Sequence, residues 1–301
     1  MINRKTFVEE IKNKYSSNDI VGYIESFKKL NVLVVGEVII DEYQYGYTLG
    51  KSGKFPIVSF KNESIEKYKG GVIAVNNHIK EFVNKVDYWT DKNIIIKKRY
   101  IENERKIFET YSIFEDEFYS GEKEIKDYDL VIVADFGHGF LDKEKRKKIE
   151  KESNFLALNT QNNSGNMGMN TINKYNRWDY ISLDEIEVRL ACSNQFDKIE
   201  DLIKEKFKKE IVSITENKYG CYVYKDNSIM KIPAFADNII DTVGAGDAFL
   251  SITSLLAYNN APIEIIGLLG NFAGAIACGW EGNKEYITRK KMMNFINEKL
   301  K

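Results

Sequence analysis

One stretch of this chain decides its fold: residues 241–249, which read DTVGAGDAF. Glycines stand on both sides of Ala245, Asp247 follows, and residues 248–258 are mostly apolar. This pattern predicts a glycine turn that opens a buried helix. The first turn of a helix leaves backbone N–H groups unpaired at the positive end of its dipole. The turn is therefore suited to bind an anion such as a phosphate.

Asp247 is the unusual residue of this stretch, because a carboxylate beside a bound phosphate repels it. One interpretation gives Asp247 a chemical role, in which it accepts a proton from a hydroxyl group that attacks the phosphorus atom. The other interpretation is structural, and has the side chain cap the N-terminus of the helix. The residues of the turn alone leave both interpretations open.

The full string resembles the C-terminal signature of the PfkB, or ribokinase-like, carbohydrate kinases. The resemblance implies that Asp247 is the catalytic base and that the backbone of Gly244, Ala245 and Gly246 forms the anion hole for the transferring phosphoryl group. It also implies ATP as co-substrate, Mg²⁺ as cofactor and a sugar or sugar phosphate as acceptor. Other motifs extend the resemblance over roughly residues 30–290.

The composition argues against several other classes of protein. The chain has 301 residues, enough for one large α/β domain or two small ones, and a formal net charge of -1, which gives no attraction to nucleic acids or membranes. Its sequence contains no run of about eighteen apolar residues. Two histidines and three widely spaced cysteines indicate neither a zinc site nor a disulfide framework. We expect a cytoplasmic protein whose partners are small molecules.

Apolar runs that end in polar residues or are followed by them recur along the chain, at residues 31–36, 129–135, 178–183 and 211–215. Each run is typical of a buried parallel strand, and predicted helices lie between them. The alternation predicts an α/β fold with a doubly wound, mostly parallel sheet and helices on both faces. Residues 1–30 have apolar side chains at helical spacing and are predicted to form a helical segment ahead of a kinase-like domain at 31–301.

Residues 43–60 and 94–113 alternate in polarity and carry turn signals, which predicts short strands outside the main sheet. The resemblance implies that these strands form a small β-lid, which closes over the sugar and makes a homodimer contact. A lid suits phosphoryl transfer, because water admitted to the site would compete with the sugar hydroxyl.

Asp41 follows the first predicted strand, at the edge of the sheet where ligands bind in open α/β folds. A carboxylate there is suited to bind sugar hydroxyls, and the alternative is a turn or cap residue. The surrounding sequence VVGEVIIDEY resembles the family's first strand and implies that Asp41 binds substrate. A family segment with paired glycines and an asparagine implies Gly70, Gly71 and Asn77 as further contacts. Ala74 stands where that asparagine aligns most simply, so the choice of Asn77 over its neighbour stays open.

Lys97 and Arg99 lie two residues apart in a predicted lid strand, so their side chains share a face and are suited to bind an anionic group. The alternative is an ordinary solvated strand face. This region resembles the lid of the bacterial heptose-7-phosphate kinases, a PfkB branch whose substrate already carries a phosphate. The same branch has a turn similar to residues 135–139, DFGHG, in which Asp135 either contacts substrate or orders the loop.

Asp184 and Glu187 lie three residues apart at the predicted start of a helix and therefore share a face. Two such carboxylates are suited to hold Mg²⁺ with its water molecules, since magnesium takes few protein ligands. The alternative is capping of the helix N-terminus. The family carries NxxE at this place, which implies a role in binding magnesium; here an aspartate replaces the asparagine.

Residues 211–220 predict a strand and a turn that resemble the family's TxGxxG nucleotide loop. Asn217 replaces the first glycine of that motif, and asparagine is a non-glycine residue that tolerates a positive φ. The resemblance implies that ATP is bound by Asn159, Thr215, Gly220 and Asn271.

The sequence therefore predicts ATP-dependent phosphoryl transfer to a sugar or sugar phosphate, similar to that of heptose-phosphate kinases. One alternative is a ribokinase- or fructokinase-type kinase of a neutral sugar, which would give Lys97 and Arg99 no anion to bind. The other is a non-catalytic sugar- or nucleotide-binding protein derived from a kinase. The intact GAGD disfavours this last alternative, because a binding protein needs no base beside its anion hole.

Overall fold

The computed structural model describes residues 3–115, 119–207 and 210–300. The larger of its two sheets contains, in chain order, β1 (Asn31–Gly36), β4 (Lys85–Trp89), β7 (Leu130–Asp135), β8 (Leu156–Thr160), β9 (Tyr180–Asp184), β10 (Ile211–Thr215), β11 (Cys221–Lys225) and β12 (Ser228–Ile232). The smaller sheet, called the lid below, contains β2 (Val38–Lys51), β3 (Val58–Gly71), β5 (Asn93–Glu102) and β6 (Arg105–Glu115).

The α-helices of the described residues are α1 (Arg4–Lys14), α2 (Ser17–Glu25), α3 (Val72–Ile79), α4 (Lys143–Glu152), α5 (Glu185–Cys192), α6 (Ile199–Lys206), α7 (Ala245–Tyr258), α8 (Ile263–Ala277) and α9 (Arg289–Lys299). Among them, none combines the length and the hydrophobicity that a membrane span requires.

The larger sheet runs β12-β11-β10-β9-β8-β7-β1-β4 in the described chain. Its strands are parallel from β4 to β10, and the hairpin of β11 and β12 adds an antiparallel edge. The predicted doubly wound, mostly parallel α/β fold is therefore confirmed. Strand β4 and helix α6 are elements that the sequence analysis did not identify.

Strand β1 shows why its residues form a continuous apolar run. Val32 and Val34 pack into the core layer that contains α7 and α8, while Leu33 and Val35 pack into the layer that contains α5 and α6. All four side chains are fully buried. Because successive side chains of a strand point to opposite faces, a strand covered by helices on both faces needs apolar residues at every position.

The N-terminal helices belong to one of these core layers. Phe7 and Ile11 of α1, and Ile20 and Ile24 of α2, are at most 2% exposed and pack in the same cluster as α7 and α8. Ser16 begins α2 with a reciprocal capping box. In the described residues, the leading helical segment is thus packed against the kinase-like fold.

The lid has the strand order β3-β2-β5-β6, with β2 and β5 parallel and the other neighbours antiparallel. Its strands extend beyond the ranges 43–60 and 94–113 that the sequence analysis assigned to them. Only Glu37 separates the end of β1 from the start of β2. The apolar residues that follow the first core strand therefore belong to the lid. Asp41 and Gly70 therefore lie on lid strands.

Candidate active site

The turn before α7 has the geometry that its glycines predict. Gly244 is the N-cap of the helix at φ +84, a value that favours glycine. A Cβ added to Gly244 would lie 2.4 Å from Asn283 Oδ1, so a side chain here would displace Asn283 as well as strain the backbone. The residues of α7 from Asp247 to Ala257 are all buried. The N-terminus of a buried helix thus meets the turn that the sequence analysis assigned to anion binding.

Asp247 lies in the first turn of α7 and does not cap it, since the N-cap residue is Gly244. The side chain is buried, and no donor in the described residues forms a hydrogen bond with its carboxylate. Burial raises the pKa of Asp247 to about 7; the charge of Asp41 adds to this effect, and Lys97 opposes it. A buried carboxylate with a pKa near neutrality and unused oxygens is suited to accept a proton.

Asp41 faces the same region and is held from two sides. Its Oδ1 accepts a hydrogen bond from Arg99 Nη1 at 2.5 Å, and its Oδ2 accepts one from Asn283 Nδ2 at 3.1 Å. A Cβ on Gly70 would lie 2.8 Å from Asp41 Oδ2, so a larger residue there would displace this carboxylate. Asp41 lies within β2 and caps no helix. The structure therefore brings Asp41, Gly70 and the anion-binding turn together around Asn283.

Lys97 and Arg99 share a face of β5, as the sequence predicts, but their environments differ. Arg99 pairs with Asp41 and also with Glu109, whose Oε2 is 2.8 Å from Arg99 Nε. Lys97 is only 6% exposed and forms no salt bridge with a described residue. Burial lowers its pKa, and the charges of Asp41 and Asp247 oppose that effect. The solvated strand face is thus excluded for Lys97, whose cation is available to a ligand, whereas Arg99 is already neutralised.

Asp135 is 1% exposed and has its own protein partners. It accepts hydrogen bonds from Tyr175 Oη at 2.6 Å and from the backbone N–H of Gly137 at 3.0 Å, and it pairs with Lys174 at 2.5 Å. Next to it, Glu37 accepts from two backbone N–H groups of the same turn. Of the two alternatives for Asp135, this geometry favours the ordering of the loop.

The remaining predicted substrate contacts divide into two groups. Gly71 has φ +61, and a Cβ there would lie 2.3 Å from Glu37 O, so its role is to let the chain pass close to the end of β1. Asn77 lies on α3, where its Oδ1 accepts a hydrogen bond from Lys80 Nζ at 3.2 Å. None of the hydrogen bonds of the described residues joins Asn77 to the residues around Asp247.

Asp184 and Glu187 form a reciprocal capping box at the start of α5. Glu187 N donates to Asp184 Oδ1 at 2.7 Å, and Asp184 N donates to Glu187 Oε2 at 2.9 Å. The capping interpretation is therefore confirmed. Burial raises the pKa of Glu187 to about 8, helped by the charges of Asp184 and Asp247. Glu187 is 4% exposed and has no cationic partner in the described chain.

These two carboxylates also fit a divalent cation. Both supply oxygen atoms, the donor type that Mg²⁺ prefers. The described residues contain no group of three or more His, Cys, Asp and Glu side chains arranged to hold a metal. Mg²⁺ would thus have at most two carboxylates here, and its other ligands would be water and nucleotide phosphate. The observation that supports this fit is the buried carboxyl group of Glu187, which lacks a cationic partner among the described residues and whose ionised form a bound cation would stabilise.

The predicted nucleotide residues lie along one edge of the larger sheet. Asn159 and Thr215 stand near the carboxyl ends of the parallel strands β8 and β10. Gly220 has φ +96, and a Cβ there would lie 1.9 Å from Ile232 O. Asn217 has φ +49, the positive value that its residue type permits. The turn after β10 therefore keeps the loop geometry that the sequence predicts, although the motif's first glycine is absent.

Two of the predicted nucleotide-binding side chains already donate hydrogen bonds to backbone carbonyl groups of the protein. Asn271 on α8 donates its amide to Ile232 O at 3.3 Å and to Pro233 O at 3.0 Å. Asn159 donates to Ser182 O at 2.8 Å. Both amides therefore hold neighbouring segments of the described chain in place, which is a structural role in the walls of the predicted nucleotide site.

Sequence reasoning missed Asn283, Glu109 and His138. Asn283 lies between Asp41 and Gly244, and Glu109 holds Arg99. His138 Nε2 is buried without a partner in the described residues, and burial lowers its pKa to about 4, with Lys97 adding to the effect. No motif marks Asn283 or Glu109. Asn283 acts on a residue 242 positions away, and Glu109 meets Arg99 only through the pairing of β5 with β6. The DFGHG string was a signal for His138.

Comparison with known proteins finds a family whose model matches the part of the chain that carries several of these features. Residues 143–288 match the model of the pfkB family carbohydrate kinases, a range that includes the anion-binding turn and Asp247. Over these residues, somewhat less than half of the chain, the protein is similar to the PfkB carbohydrate kinases. This match supports a carbohydrate kinase, and kinases of that family use ATP as co-substrate.

Its curated relatives are longer than this chain. It is 25% identical over 304 residues to the bifunctional protein HldE of Campylobacter fetus subsp. fetus, covering 85% of this chain and 64% of the relative. It is 21% identical over 308 residues to the bifunctional protein HldE of Haemophilus influenzae, covering 88% and 63%. The chain thus spans somewhat less than two thirds of the length of these curated relatives.

Solved structures show the same fold. A ribokinase from Thermotoga maritima superposes with a TM-score of 0.68 at 15% identity, covering 89% of this chain and 99% of that one. A nucleoside kinase from Methanocaldococcus jannaschii gives a TM-score of 0.63 at 14% identity, with coverages of 90% and 99%. At these identities the likeness is evidence for a ribokinase-like fold.

Proposed function

We propose that this protein is a PfkB-type carbohydrate kinase, which transfers the γ-phosphoryl group of ATP to a hydroxyl of a sugar phosphate. Asp247 is the general base, and the backbone of Gly244, Ala245 and Gly246 is the anion hole. The observation that carries the proposal is the placement of Asp247, a buried carboxylate with no donor among the described residues, in the first turn of α7 beside that glycine turn.

The reaction requires few protein groups. Asp247 accepts the proton of the acceptor hydroxyl as its oxygen attacks the γ-phosphorus, and the bond from that phosphorus to the β–γ bridging oxygen breaks to release ADP. A positioned base of this kind contributes about 10² to 10⁴ in rate. The N–H groups of the glycine turn and the dipole of α7 stabilise the charge on the transferring group.

Asp184 and Glu187 would hold Mg²⁺ through their carboxylate oxygens. Besides its capping bond, Glu187 accepts a hydrogen bond at Oε1 from the backbone N–H of Asn162 at 2.9 Å, and this oxygen would share its remaining lone pair with the metal. When bound, Mg²⁺ supplies positive charge that neutralises the nucleotide phosphates. Thr215 and Gly220 would bind the nucleotide at the turn after β10, while Asn159 and Asn271 would shape its site from behind.

Lys97 supports a substrate that already carries a phosphate. Its buried ammonium group has no protein salt bridge among the described residues, and its charge acts on both Asp41 and Asp247. A phosphate monoester would give this cation a partner, and Asp41 would bind a sugar hydroxyl beside it. Arg99 then orients Asp41 instead of binding the anion. With the lid resembling that of the heptose-7-phosphate kinases, a heptose phosphate is the first acceptor to test.

The test is ADP release with Mg-ATP against matched pairs of free and phosphorylated sugars, including heptose 7-phosphate. We expect turnover with a phosphorylated sugar and its loss in Asp247→Asn. The matched variant Lys97→Met should raise KM for the phosphorylated acceptor by about tenfold or more, since hydrogen bonds to charged groups contribute about 1.5–3 kcal/mol. Turnover with neutral sugars alone would establish the ribokinase- or fructokinase-type alternative and remove this role from Lys97.

We also propose that the lid forms a homodimer contact. Its exposed apolar side chains include Ile65, Phe108 and Phe114, at 43%, 48% and 55% exposure. Phe108 stacks on Tyr100 with ring centroids 4.0 Å apart, which builds a flat aromatic surface. Light scattering should give a dimer for the native chain and a monomer for Phe108→Glu. The control is Phe196→Glu, at an exposed residue outside the lid; a native monomer would refute the contact.

A further inference from the structure

Asp241, the first residue of the signature stretch, has no part in the chemistry described above, yet it is 8% exposed and densely bonded. Its Oδ1 accepts hydrogen bonds from the backbone N–H of Thr242 at 2.8 Å and of Val243 at 3.2 Å. The same oxygen accepts one from Lys106 Nζ at 2.7 Å. Asp241 thus shapes the backbone that leads into Gly244 and binds a cation from the lid at the same time.

The second carboxylate oxygen of Asp241 forms hydrogen bonds with two further segments of the chain. Asp241 Oδ2 accepts a hydrogen bond from Tyr43 Oη on β2 at 2.7 Å and from the backbone N–H of Gly282, after α8, at 3.1 Å. The carboxylate therefore connects the two lid strands β2 and β6, the signature turn and the loop that carries Asn283. Each connection is a direct hydrogen bond with ordinary geometry.

Lys106 differs from the other donors because it is charged. In the described chain, it is the cationic side chain that forms a salt bridge with Asp241. The other donors are a phenol and three backbone N–H groups, which are neutral. Removing the ammonium group would leave a buried carboxylate without a countercharge, a situation that destabilises the surrounding structure.

The position of Lys106 in the lid gives this pair a functional meaning. Lys106 pairs with Ile101 across the β5–β6 hairpin, and β5 is the strand that carries Lys97 and Arg99. The salt bridge thus connects the hairpin that faces the acceptor to the turn that faces the phosphoryl group. Catalysis of phosphoryl transfer depends on aligning these two groups, and a misplacement of about 1 Å can cost about 10²-fold in rate.

We infer that Lys106 is a positioning residue for phosphoryl transfer. By pairing with Asp241, its ammonium group fixes the lid hairpin against the turn at Gly244–Gly246, so that the acceptor hydroxyl and the γ-phosphorus are aligned when the pair is formed. This inference rests on the proposed function of the same site, but it adds a residue that touches neither substrate.

The test compares Lys106→Met with Lys106→Arg and with a matched control, Lys98→Met. Lys98 also lies on the lid and pairs with a buried acid, Glu42, at 3.0 Å, but that acid has a second cationic partner, Lys67, and no contact with the signature turn. We expect Lys106→Met to lower kcat by about 10²-fold with little change in KM for ATP. Lys106→Arg should restore most of kcat, and Lys98→Met should stay close to the native rate.

A second readout does not depend on activity. Amide hydrogen exchange should become faster at residues 241–247 in Lys106→Met and stay at the native rate in Lys98→Met, because only the first variant removes a donor from Asp241. Unchanged exchange there, equal kcat for the two Met variants, or no recovery with arginine would each overturn the inference. Failure of the native chain to turn over any acceptor would refute the proposed function, while the exchange result would still decide whether Lys106 fixes the turn.

Discussion

Asp241 and Asp247 belong to the same signature stretch, but their environments in the protein are opposite. Asp241 accepts five hydrogen bonds, one of them from Lys106, whereas no donor in the described chain binds the carboxylate of Asp247. Burial would raise the pKa of both. At Asp241 the bonds from Lys106 and Tyr43 hold the pKa below its usual value, while at Asp247 burial prevails and raises it to about 7.

The difference teaches that residue type and burial do not by themselves decide what an acid does. Both side chains are aspartates, both are less than a tenth exposed, and six positions separate them. A carboxylate whose oxygens are occupied by donors is fixed in its ionised form and serves as a structural anchor. One whose oxygens are unoccupied is less stable when ionised and is suited to take up a proton during a reaction.

The most direct way to break this comparison is to remove the free carboxylate. Asp247→Asn keeps the size of the side chain and removes the base, so kcat should fall by about 10² to 10⁴-fold. Acceptor binding, measured by calorimetry, should persist. Steady-state ADP release is the measurement, and a variant that keeps more than a tenth of the native kcat would show that Asp247 is not the base.

The pH dependence of the rate sharpens the comparison. Asp247 must be ionised to accept a proton, so kcat/KM should fall about tenfold for each pH unit below about 7 and level off above it. Asp241 has a lowered pKa and stays ionised over this range, so it contributes nothing to the profile. A pH–rate profile from about 5.5 to about 8.5 provides the check, with Lys98→Met as a control that should keep the same midpoint. A flat profile would contradict the assignment.

The smallest expected effect is on stability, and its sign differs between the two acids. The folded-state pKa of Asp247 lies above its unfolded value, so the stability it provides is present at low pH and is lost as pH rises through about 7. Asp247→Asn should therefore raise the melting temperature at pH 8. The pKa of Asp241 is lowered, so its contribution is present above the unfolded pKa and lost in acid.

Asp241→Asn should accordingly lower the melting temperature at pH 8, by an amount that corresponds to about 1–3 kcal/mol for buried bonds to a charged group. Scanning calorimetry of the two variants at pH 8 and at pH 5 checks both signs. The difference between them should shrink at pH 5, where Asp247 is protonated in the native chain. Equal shifts of the melting temperature in the same direction for both variants would contradict the difference between the two environments.

Local sequence patterns predicted the parts of this molecule that depend on local physics. The glycine turn, the buried α7 and the strand at 31–36 each follow from residues that are neighbours in the chain, and each is present. Asp184 and Glu187 show the limit of such patterns: their spacing suits both a capping box and a metal site, and the observed box leaves the metal role a proposal.

The roles that depend on distant residues were not predictable in the same way. Lys97 and Arg99 look equivalent in the sequence, and they differ only because Glu109 and Asp41 reach Arg99 from other strands. Asn283 contacts a residue 242 positions away, so no spacing could indicate it. Asn77 was assigned by resemblance alone, and its hydrogen bond to Lys80 gives that assignment no support from geometry.

The junction between the core and the lid has one more consequence. The chain enters the lid at Glu37 and returns at Gly71, and these two crossings touch, since Val72 N donates to Glu37 O at 3.0 Å. Between them β2 and β3 form a paired ribbon whose far end lies away from the junction. Residues can thus be added to or deleted from that far end, in pairs across the ribbon, without moving either crossing. Ribbon length is therefore free to diverge between related proteins, or to be changed by an engineer, while the crossings and the turn at Gly244–Gly246 stay the same.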